Sequence, residues 1–169
     1  GGYGYGDSVC YGAVKYVSEN NFDIKSVSTY AKSSNTKIEI SIFDNFQNGT
    51  FSGLLASFPL QICTHPGYYT FDLTTPIIIP QGNDFYVCVK YIAPGTTYPA
   101  PVEMYYSGYA NPYLNQTTWL SHNGNPNTWN HIVSCDLAVK VFAQANVSAL
   151  ATTVESPSCN QLNDGRITL

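Results

Sequence analysis

The sequence predicts an all-β fold, namely a two-sheet antiparallel sandwich of jelly-roll-like architecture, and three observations support this prediction. Apolar and polar residues alternate in several segments, as they do in strands that bury one face. Turns rich in Gly, Pro and Asn separate these segments at regular spacing. No long segment shows the repeat of about 3.6 residues that marks an amphipathic helix. Many short strands without helices are typical of two packed sheets.

The alternation is clearest in three predicted strands. The residues that share one face are Ile38, Ile40 and Ile42 in the first, Phe85, Val87, Val89 and Tyr91 in the second, and Leu137, Val139 and Val141 in the third. Weaker strand patterns cover residues 11–18, 24–31, 68–73 and 102–107. Only residues 51–58 have a pattern that could form a brief helical turn. Turn signals lie at 19–21, 33–35, 47–49, 65–67, 81–83 and 93–95.

The chain divides into two parts by composition. Residues 1–145 are predicted to form one β-sandwich domain. Residues 146–169 begin with small and polar side chains and are predicted to be a linker, followed by the truncated start of a further β module. Asn163, Asp164 and Gly165 signal a hairpin turn in that second part. Because the chain begins with neither Met nor a signal peptide, it is expected to be a piece of a longer, exported precursor.

Charge is sparse and aromatic residues are frequent. Charged residues make up 11% of the 169 residues and aromatic residues 14%, including fourteen tyrosines. The formal net charge is -4 and the seven basic residues are scattered, so no nucleic-acid partner is predicted. No apolar run has the length of a membrane span, so direct membrane insertion is not predicted either. This composition is typical of an extracellular or cell-surface β protein.

The cysteines leave two alternatives open. The five are Cys10, Cys63, Cys88, Cys135 and Cys159, and none belongs to a CxxC pair that would indicate a zinc ribbon or a redox motif. They can be free and buried, as small hydrophobic residues. Alternatively, one or two disulfides form if the protein is exported. The odd number leaves at least one unpaired, and Cys159 in the tail is the expected one.

Residues 103–130 combine aromatic rings with short amide side chains, which is the chemistry that binds a sugar. A ring covers the C–H face of a pyranose, and amides bond its hydroxyls. Trp119 and Trp129 are the predicted stacking platforms. The predicted groove wall consists of Tyr105, Tyr109 and Tyr113, and the predicted hydroxyl ligands are Asn123, Asn125 and Glu103. The alternative is a polar loop whose aromatic residues complete the core.

Catalytic and metal chemistry is less well supported by the residue pattern. Cys10, His131 and Asn130 could be named as a peptidase triad, but the helix that activates such a thiol is missing. A glycosidase would need two facing carboxylates, and the candidates are Asp44, Asp72, Asp84, Glu103 and Asp136. Glu103 is assigned to binding rather than catalysis. No cofactor is predicted. A structural calcium remains an option, with Asp7, Asp44 and Asp136 as the only indications.

Several motifs, in this order, resemble the lectin-like domain of bacterial and archaeal cell-surface proteins, which is often attached to papain-type cysteine peptidases. The resemblance covers residues 4–143, and its strongest pieces are GYYTFDL at 67–73, PIIIPQGNDF at 76–85, YPAPVE at 98–103 and LSHNG at 120–124 before Trp129. Asn123 stands where the family usually has Asp. The tail from Ser156 is similar to the opening of adhesin repeats in surface proteins of gliding Bacteroidetes.

The resemblance and the aromatic segment together predict a non-catalytic carbohydrate-binding module of a secreted or cell-surface multidomain protein. Its expected partners are a surface glycan and other modules of the same precursor. The alternative is a structural or assembly module of an adhesin or filament, which would self-associate, or an accessory domain of a cysteine peptidase.

Overall fold

The computed structural model describes residues 1–109, 112 and 114–145, together with the backbone of 153–155 and 166–168. The described residues form fourteen strands and no helix, so none of them belongs to a helix that could span a membrane. In chain order the strands are β1 (Gly2–Tyr3), β2 (Val9–Val17), β3 (Phe22–Ala31), β4 (Thr36–Gln47), β5 (Thr50–Cys63), β6 (Gly67–Ile79), β7 (Asp84–Ile92), β8 (Ala100–Met104), β9 (Thr118–Ser121), β10 (Asn130–Ile132), β11 (Cys135–Leu137), β12 (Val139–Ala145), β13 (Thr153–Glu155) and β14 (Arg166–Thr168).

The described strands form four sheets, two of which are the main layers of the sandwich, and each described pairing is antiparallel. The larger sheet has six strands in the order β10-β9-β2-β7-β4-β5, and the facing sheet has the order β12-β3-β6. A third sheet, β1-β8-β11, adds further core residues. The prediction of an all-β antiparallel sandwich is confirmed. The pair β13 and β14 lies in the tail, whereas the predicted turn at 163–165, Cys159 and most of the adhesin-like segment lie outside the described residues.

The core lies between the two main sheets and is built by the predicted alternation. Ile38, Ile40 and Ile42 are each at most 1% exposed, and Phe85, Val87, Val89 and Tyr91 on β7 are buried beside them. The facing sheet contributes Ile24 and Val27. Burying side chains of this size stabilises the fold by about 1.5–3 kcal/mol each relative to exposure. The outer face of the six-stranded sheet is therefore free to carry a site.

Residues 135–143, which the alternation indicates as one strand, are divided between two sheets. β11 pairs with β8, whereas β12 pairs with β3, and the chain changes sheets at Ala138. Ala138 donates its N–H to the Pro101 carbonyl (2.9 Å) and accepts the Thr29 hydroxyl (2.9 Å). The alternation of apolar and polar residues continues where the chain passes from one sheet to the other, so the sequence pattern does not reveal the change of sheet.

The helical turn suggested for residues 51–58 is wrong, because these residues belong to β5. The turn at Asn48 and Gly49 returns the chain alongside β4, where pairing satisfies the backbone N–H and C=O groups. Two register shifts, near Ile38/Ile40 and Ile42/Phe43, disturb the pairing of β4 with β5. Leu54 and Leu55 remain exposed on this edge strand, so its apolar residues do not follow a simple inside–outside alternation.

The four described cysteines, Cys10, Cys63, Cys88 and Cys135, are free thiols. For these residues the structure supports free cysteines rather than disulfides. Three of them are buried and behave as small core residues.

Replacing Tyr91 by Phe is expected to lower the free energy of unfolding by about 1 kcal/mol. The buried Tyr91 hydroxyl lies 2.7 Å from Thr29 Oγ1, and Thr29 donates onward to the Ala138 carbonyl. The substitution leaves Thr29 without that donor and removes one link between the two main sheets. Urea denaturation measures the change, with the exposed Tyr98→Phe as control. Equal stability of both variants and the wild type would contradict this role.

Candidate functional site

A groove of about 290 Å³ lies on the outer face of the six-stranded sheet. Its floor is formed by strands from the middle of the sheet, and two loops rise beside it. Aromatic rings and a few polar groups line it together, as in sites that hold small polar molecules. The lining residues are Tyr11, Glu39, Ser41, Phe43, Gly49, Thr50, Phe51, Cys88, Val89, Lys90, Gly124, Pro126 and Trp129.

The floor contains a polar row that runs across three strands. Tyr11 lies opposite Lys90 in the β2–β7 pairing, and Lys90 lies opposite Glu39 in the β7–β4 pairing. Lys90 Nζ is 3.1 Å from Glu39 Oε1 and 5.6 Å from the centre of the Tyr11 ring. The bond to Glu39 is the largest cause of a raised pKa at Lys90. The row therefore presents a carboxylate and an ammonium group side by side.

The β4–β5 hairpin and the loop after β9 hold one another in place above the floor. Asn127 donates its N–H to the Gly49 carbonyl at 3.0 Å. Gly49 has a φ of 70°, and a Cβ there would come within 2.8 Å of the Asn127 backbone, so only glycine fits without displacement. The Phe51 and Trp129 rings meet edge to face at 4.9 Å. This contact places the Trp129 indole in the groove lining.

Trp119 lies in an aromatic cluster rather than in the groove lining. Its indole stacks on the His131 ring at 5.0 Å and also meets Phe46 and Tyr86. Phe46 in turn stacks on Phe51 at 4.2 Å, so the cluster continues to the groove wall. Trp119 is thus placed to support the ring system that ends in Trp129.

The side chain of Asn123 bonds within its own loop. Its Oδ1 accepts the N–H of Asn125 at 3.0 Å and lies 2.9 Å from Thr128 Oγ1. The Asn125 carbonyl accepts the Thr128 hydroxyl at 2.6 Å, while the Asn125 side chain is exposed. These bonds form an Asx-type turn that fixes the approach to Trp129. The predicted role of both amides as hydroxyl ligands stays a prediction.

An exposed hydrogen bond joins the N-terminal segment to the start of the same loop. His122 Nε2 lies 2.6 Å from Asp7 Oδ2, and Asp7 Oδ1 accepts the Val9 N–H at 2.9 Å. The hydrogen bond with His122, followed by that from Val9, holds the pKa of the Asp7 carboxyl below its usual value. The pair therefore ties down the chain just before Asn123.

Replacing Asp7 by Asn is expected to lower stability slightly at neutral pH and to have no effect in strong acid. A folded pKa below the unfolded value of about 3.9 gives a contribution that is present above that value. The contribution is lost as the pH falls through the lowered folded pKa. Urea midpoints of the wild type and Asp7→Asn should therefore differ at about pH 6, begin to converge below about pH 4, and coincide only once the pH lies below the lowered folded pKa. A difference that persists unchanged in acid would contradict the assignment.

Glu103 lies in a different cavity from Trp129. This second cavity, of about 470 Å³, is also lined by Lys15, Asn115, Asp136 and Lys140. Glu103 and Asp136 are opposite one another in the β8–β11 pairing, so two of the carboxylates weighed for a glycosidase do meet. Both oxygens of Asp136 accept backbone N–H groups, from residues 115 and 116. Asp136 therefore holds the loop before β9, which is a structural role.

Two tyrosines of the predicted groove wall, Tyr105 and Tyr109, lie apart from the groove. Tyr105 is 61% exposed and Tyr109 is 89% exposed, and neither lines the cavity beside Trp129. The Tyr109 ring instead contacts Tyr106 at 5.7 Å. Tyr113 lies outside the described residues. Of the seven ligand-binding candidates that the structure describes, Trp129 alone lines the groove, and the predicted roles of all eight stay untested.

The geometry gives little support to thiol or metal chemistry. Burial, the largest cause, raises the pKa of Cys10 to about 12, and its Sγ contacts the Ser121 carbonyl. His131 Nε2 lies 2.8 Å from the Gln116 carbonyl, so this nitrogen is engaged with the backbone, while Cys10 is completely buried. Within the part of the chain that the structure describes, no three His, Cys, Asp or Glu side chains cluster as metal ligands do. The structural calcium stays a prediction.

The polar residues of the groove floor were missed from the sequence. Glu39 and Lys90 occupy the outward positions of alternating strands, which usually indicates simple solvation. A signal was nevertheless present, because Phe43 and Tyr86 share those outward faces. Aromatic residues on the outward face of a strand indicate that something covers this face.

Comparisons with known proteins found one matching family and solved structures with a similar fold. A family model described as "Lectin like domain" matches residues 1–143. One similar structure is a crystal structure of the cysteine protease and lectin-like domains of Cwp84, a surface layer associated protein of Clostridium difficile. Its TM-score is 0.59 at 17% sequence identity, and the match covers 82% of this chain and 32% of that chain. A structure of the clostridial cysteine protease Cwp84 after propeptide cleavage is similar with a TM-score of 0.61 at 18% identity, over 82% of this chain and 36% of that one. At sequence identities this low, the similarity shows a shared fold. The chain spans about a third of the length of those two protein chains. A search of curated proteins found no match.

Proposed function

This chain belongs to the lectin-like domain family, and on that premise we propose that it is a non-catalytic module that binds carbohydrate. The observation that carries the proposal is the groove on the six-stranded sheet. Phe43, Phe51 and Trp129 offer ring surfaces there, beside the polar row of Glu39 and Lys90. This combination matches a pyranose, because the rings can cover its C–H face and the charged groups can form hydrogen bonds with its hydroxyls.

The groups that could act chemically support binding rather than catalysis. Burial raises the pKa of the Cys88 thiol, which lines the groove, and so disfavours the thiolate that nucleophilic attack needs. Glu39 is held by Lys90, and among the described residues no second carboxylate of the kind that glycoside hydrolysis requires lines the groove. A shallow, water-exposed groove of this kind is expected to bind weakly, in the micromolar to millimolar range.

We also propose that the module works as part of a larger protein outside the cell. The similar solved structures belong to a surface layer associated protein, in which a lectin-like domain accompanies a cysteine protease domain. The sparse charge of this chain is consistent with such a setting. In that arrangement the domain would hold the rest of the protein at a glycan surface.

Isothermal titration of the purified chain with a panel of soluble polysaccharides tests the proposal. We expect saturable binding to at least one polysaccharide, together with a change in tryptophan fluorescence, because Trp129 lines the groove. Circular dichroism establishes that the protein is folded under the same conditions. A folded protein that binds no member of the panel would contradict a carbohydrate-binding function.

A second candidate function, assembly or docking onto another domain, is favoured by one observation. The edge strand β5 exposes Leu54, Leu60 and Ile62, and the edge strand β6 exposes Tyr68 and Ile78. Unpaired, apolar edges of this kind are common sites of strand pairing with another chain. Sedimentation equilibrium separates the two functions. A stable oligomer that dissociates in an Ile62→Lys variant would favour assembly, and a monomer would favour ligand binding.

A further inference from the structure

The groove contains two charged residues among those that line it, and they form a pair. Glu39 and Lys90 are joined at 3.1 Å, and their side chains are 45% and 26% exposed. The pair has no net charge, so the groove offers no surplus cation to an acidic ligand. The rest of the lining is aromatic, hydroxyl-bearing or small. The ligand that fits this lining is polar without being charged.

The pair provides both kinds of hydrogen-bonding group at one point. An ammonium group has three donors, and Lys90 uses one of them on Glu39. A carboxylate has about four acceptor sites, and Glu39 receives this bond at Oε1. One sugar hydroxyl can therefore donate to Glu39 while its neighbour accepts from Lys90. The 3.1 Å between Nζ and Oε1 is comparable to the separation of oxygens on adjacent carbons of a pyranose.

A carboxylated or sulfated sugar would meet this pair unfavourably. An acidic group that approached Lys90 would also stand beside the Glu39 carboxylate, and like charges at such separations repel. The ion pair would have to separate before Lys90 could serve the new anion. The Tyr11 ring, 5.6 Å from Lys90 Nζ, limits where the ammonium group could go.

We propose that the groove selects uncharged saccharides. The Glu39–Lys90 pair forms hydrogen bonds with two neighbouring hydroxyls of one sugar ring, and the Glu39 carboxylate repels acidic sugars. This inference rests on the proposed carbohydrate-binding function and names its ligand class. Glu39 acts both as an acceptor for a hydroxyl and as the charge that neutralises Lys90. Removing its charge while keeping its shape should therefore change which sugars bind.

The test compares binding of neutral and acidic oligosaccharides by the wild type and Glu39→Gln. The neutral probes are cello-, xylo-, manno- and galacto-oligosaccharides, and the acidic probe is oligogalacturonate. We expect the wild type to bind a neutral probe and to bind oligogalacturonate at least tenfold more weakly. Glu39→Gln should weaken neutral binding by roughly five- to tenfold and strengthen oligogalacturonate binding, because Lys90 is released. Lys90→Gln should weaken neutral binding without strengthening acidic binding.

Asp84→Asn is the matched control. Asp84 pairs with Lys15 at 2.6 Å, is 40% exposed and lies on the same sheet without lining the groove. The substitution removes the same charge as Glu39→Gln, so a general electrostatic gain for acidic sugars would appear equally in both. Oligogalacturonate binding by the wild type as tight as neutral binding would overturn the inference but not the proposed function, as would an unchanged preference in Glu39→Gln. Absence of binding to every sugar would overturn both.

Discussion

Replacing Trp129 by Ala is expected to weaken saccharide binding by roughly ten- to a hundredfold. The indole lines the groove and packs edge to face against Phe51 at 4.9 Å. Complete burial of a large apolar side chain is worth about 1.5–3 kcal/mol, and this value sets the upper end of the expected loss of affinity. Titration calorimetry against the polysaccharide with the highest affinity for the wild type measures it.

Two further variants separate stacking from loop damage. Trp129→Phe keeps a ring on the same loop and should retain a substantial part of the affinity. Tyr98→Ala removes an aromatic ring that is 57% exposed and does not line the groove, so its affinity should equal that of the wild type. Unfolding midpoints of all three show whether the loop remains in place. Wild-type affinity in a folded Trp129→Ala would show that the ligand does not stack on this indole.

Trp119 provides an internal comparison, because the sequence pattern predicts the same stacking role for both tryptophans. Its indole is covered by His131 and meets Phe46 and Tyr86, so its environment resembles that of a supporting residue. Both residues lie in one stretch of chain, yet one is on β9 and the other is at the end of the following loop. Proximity in sequence does not determine which ring borders an opening.

The core was predictable because its signal is local. In β4 and β7 the alternation of apolar residues directly reports which side chains point inward, and the structure buries Ile38, Ile40 and Ile42 as expected. The passage of residues 135–143 from one sheet to another was not predictable. It depends on bonds between Ala138 and two distant residues, Pro101 and Thr29. Strand order and register of this kind arise from the whole chain.

The candidate site likewise has one part that is visible locally in the sequence and one part that depends on how distant strands pair. Trp129 can be proposed from the sequence alone, because a rare aromatic residue beside amides is visible there, and its role in binding stays a prediction. The polar row of Tyr11, Lys90 and Glu39 is assembled from three strands that are far apart in the chain and adjacent only through register. Each of these residues, taken alone, has the ordinary appearance of the outward side of a strand. Lys90 and Glu39 form a donor–acceptor pair only because the fold brings Lys90 Nζ within 3.1 Å of Glu39 Oε1.

Replacing Ile40 by Ala should lower the free energy of unfolding by about 2–5 kcal/mol while leaving saccharide affinity nearly unchanged. Ile40 is 1% exposed and lies on β4 between Val89 and Phe58, so truncation leaves a cavity that the sheet cannot close. Glu39 and Ser41, the neighbours of Ile40 on either side, line the groove on the opposite face.

The two faces of β4 therefore separate stability from binding, and graded controls test this separation. Ile40→Val should cost about 0.5–1.5 kcal/mol, because it removes a single methyl group. Ile78→Ala, at an edge position that is 68% exposed, should cost little. Urea denaturation gives the stabilities, and titration well below the unfolding transition gives the affinities. If affinity fell in proportion to stability across Ile40→Val and Ile40→Ala, the groove would depend on the packing beneath it, and the sheet could not be regarded as a rigid platform.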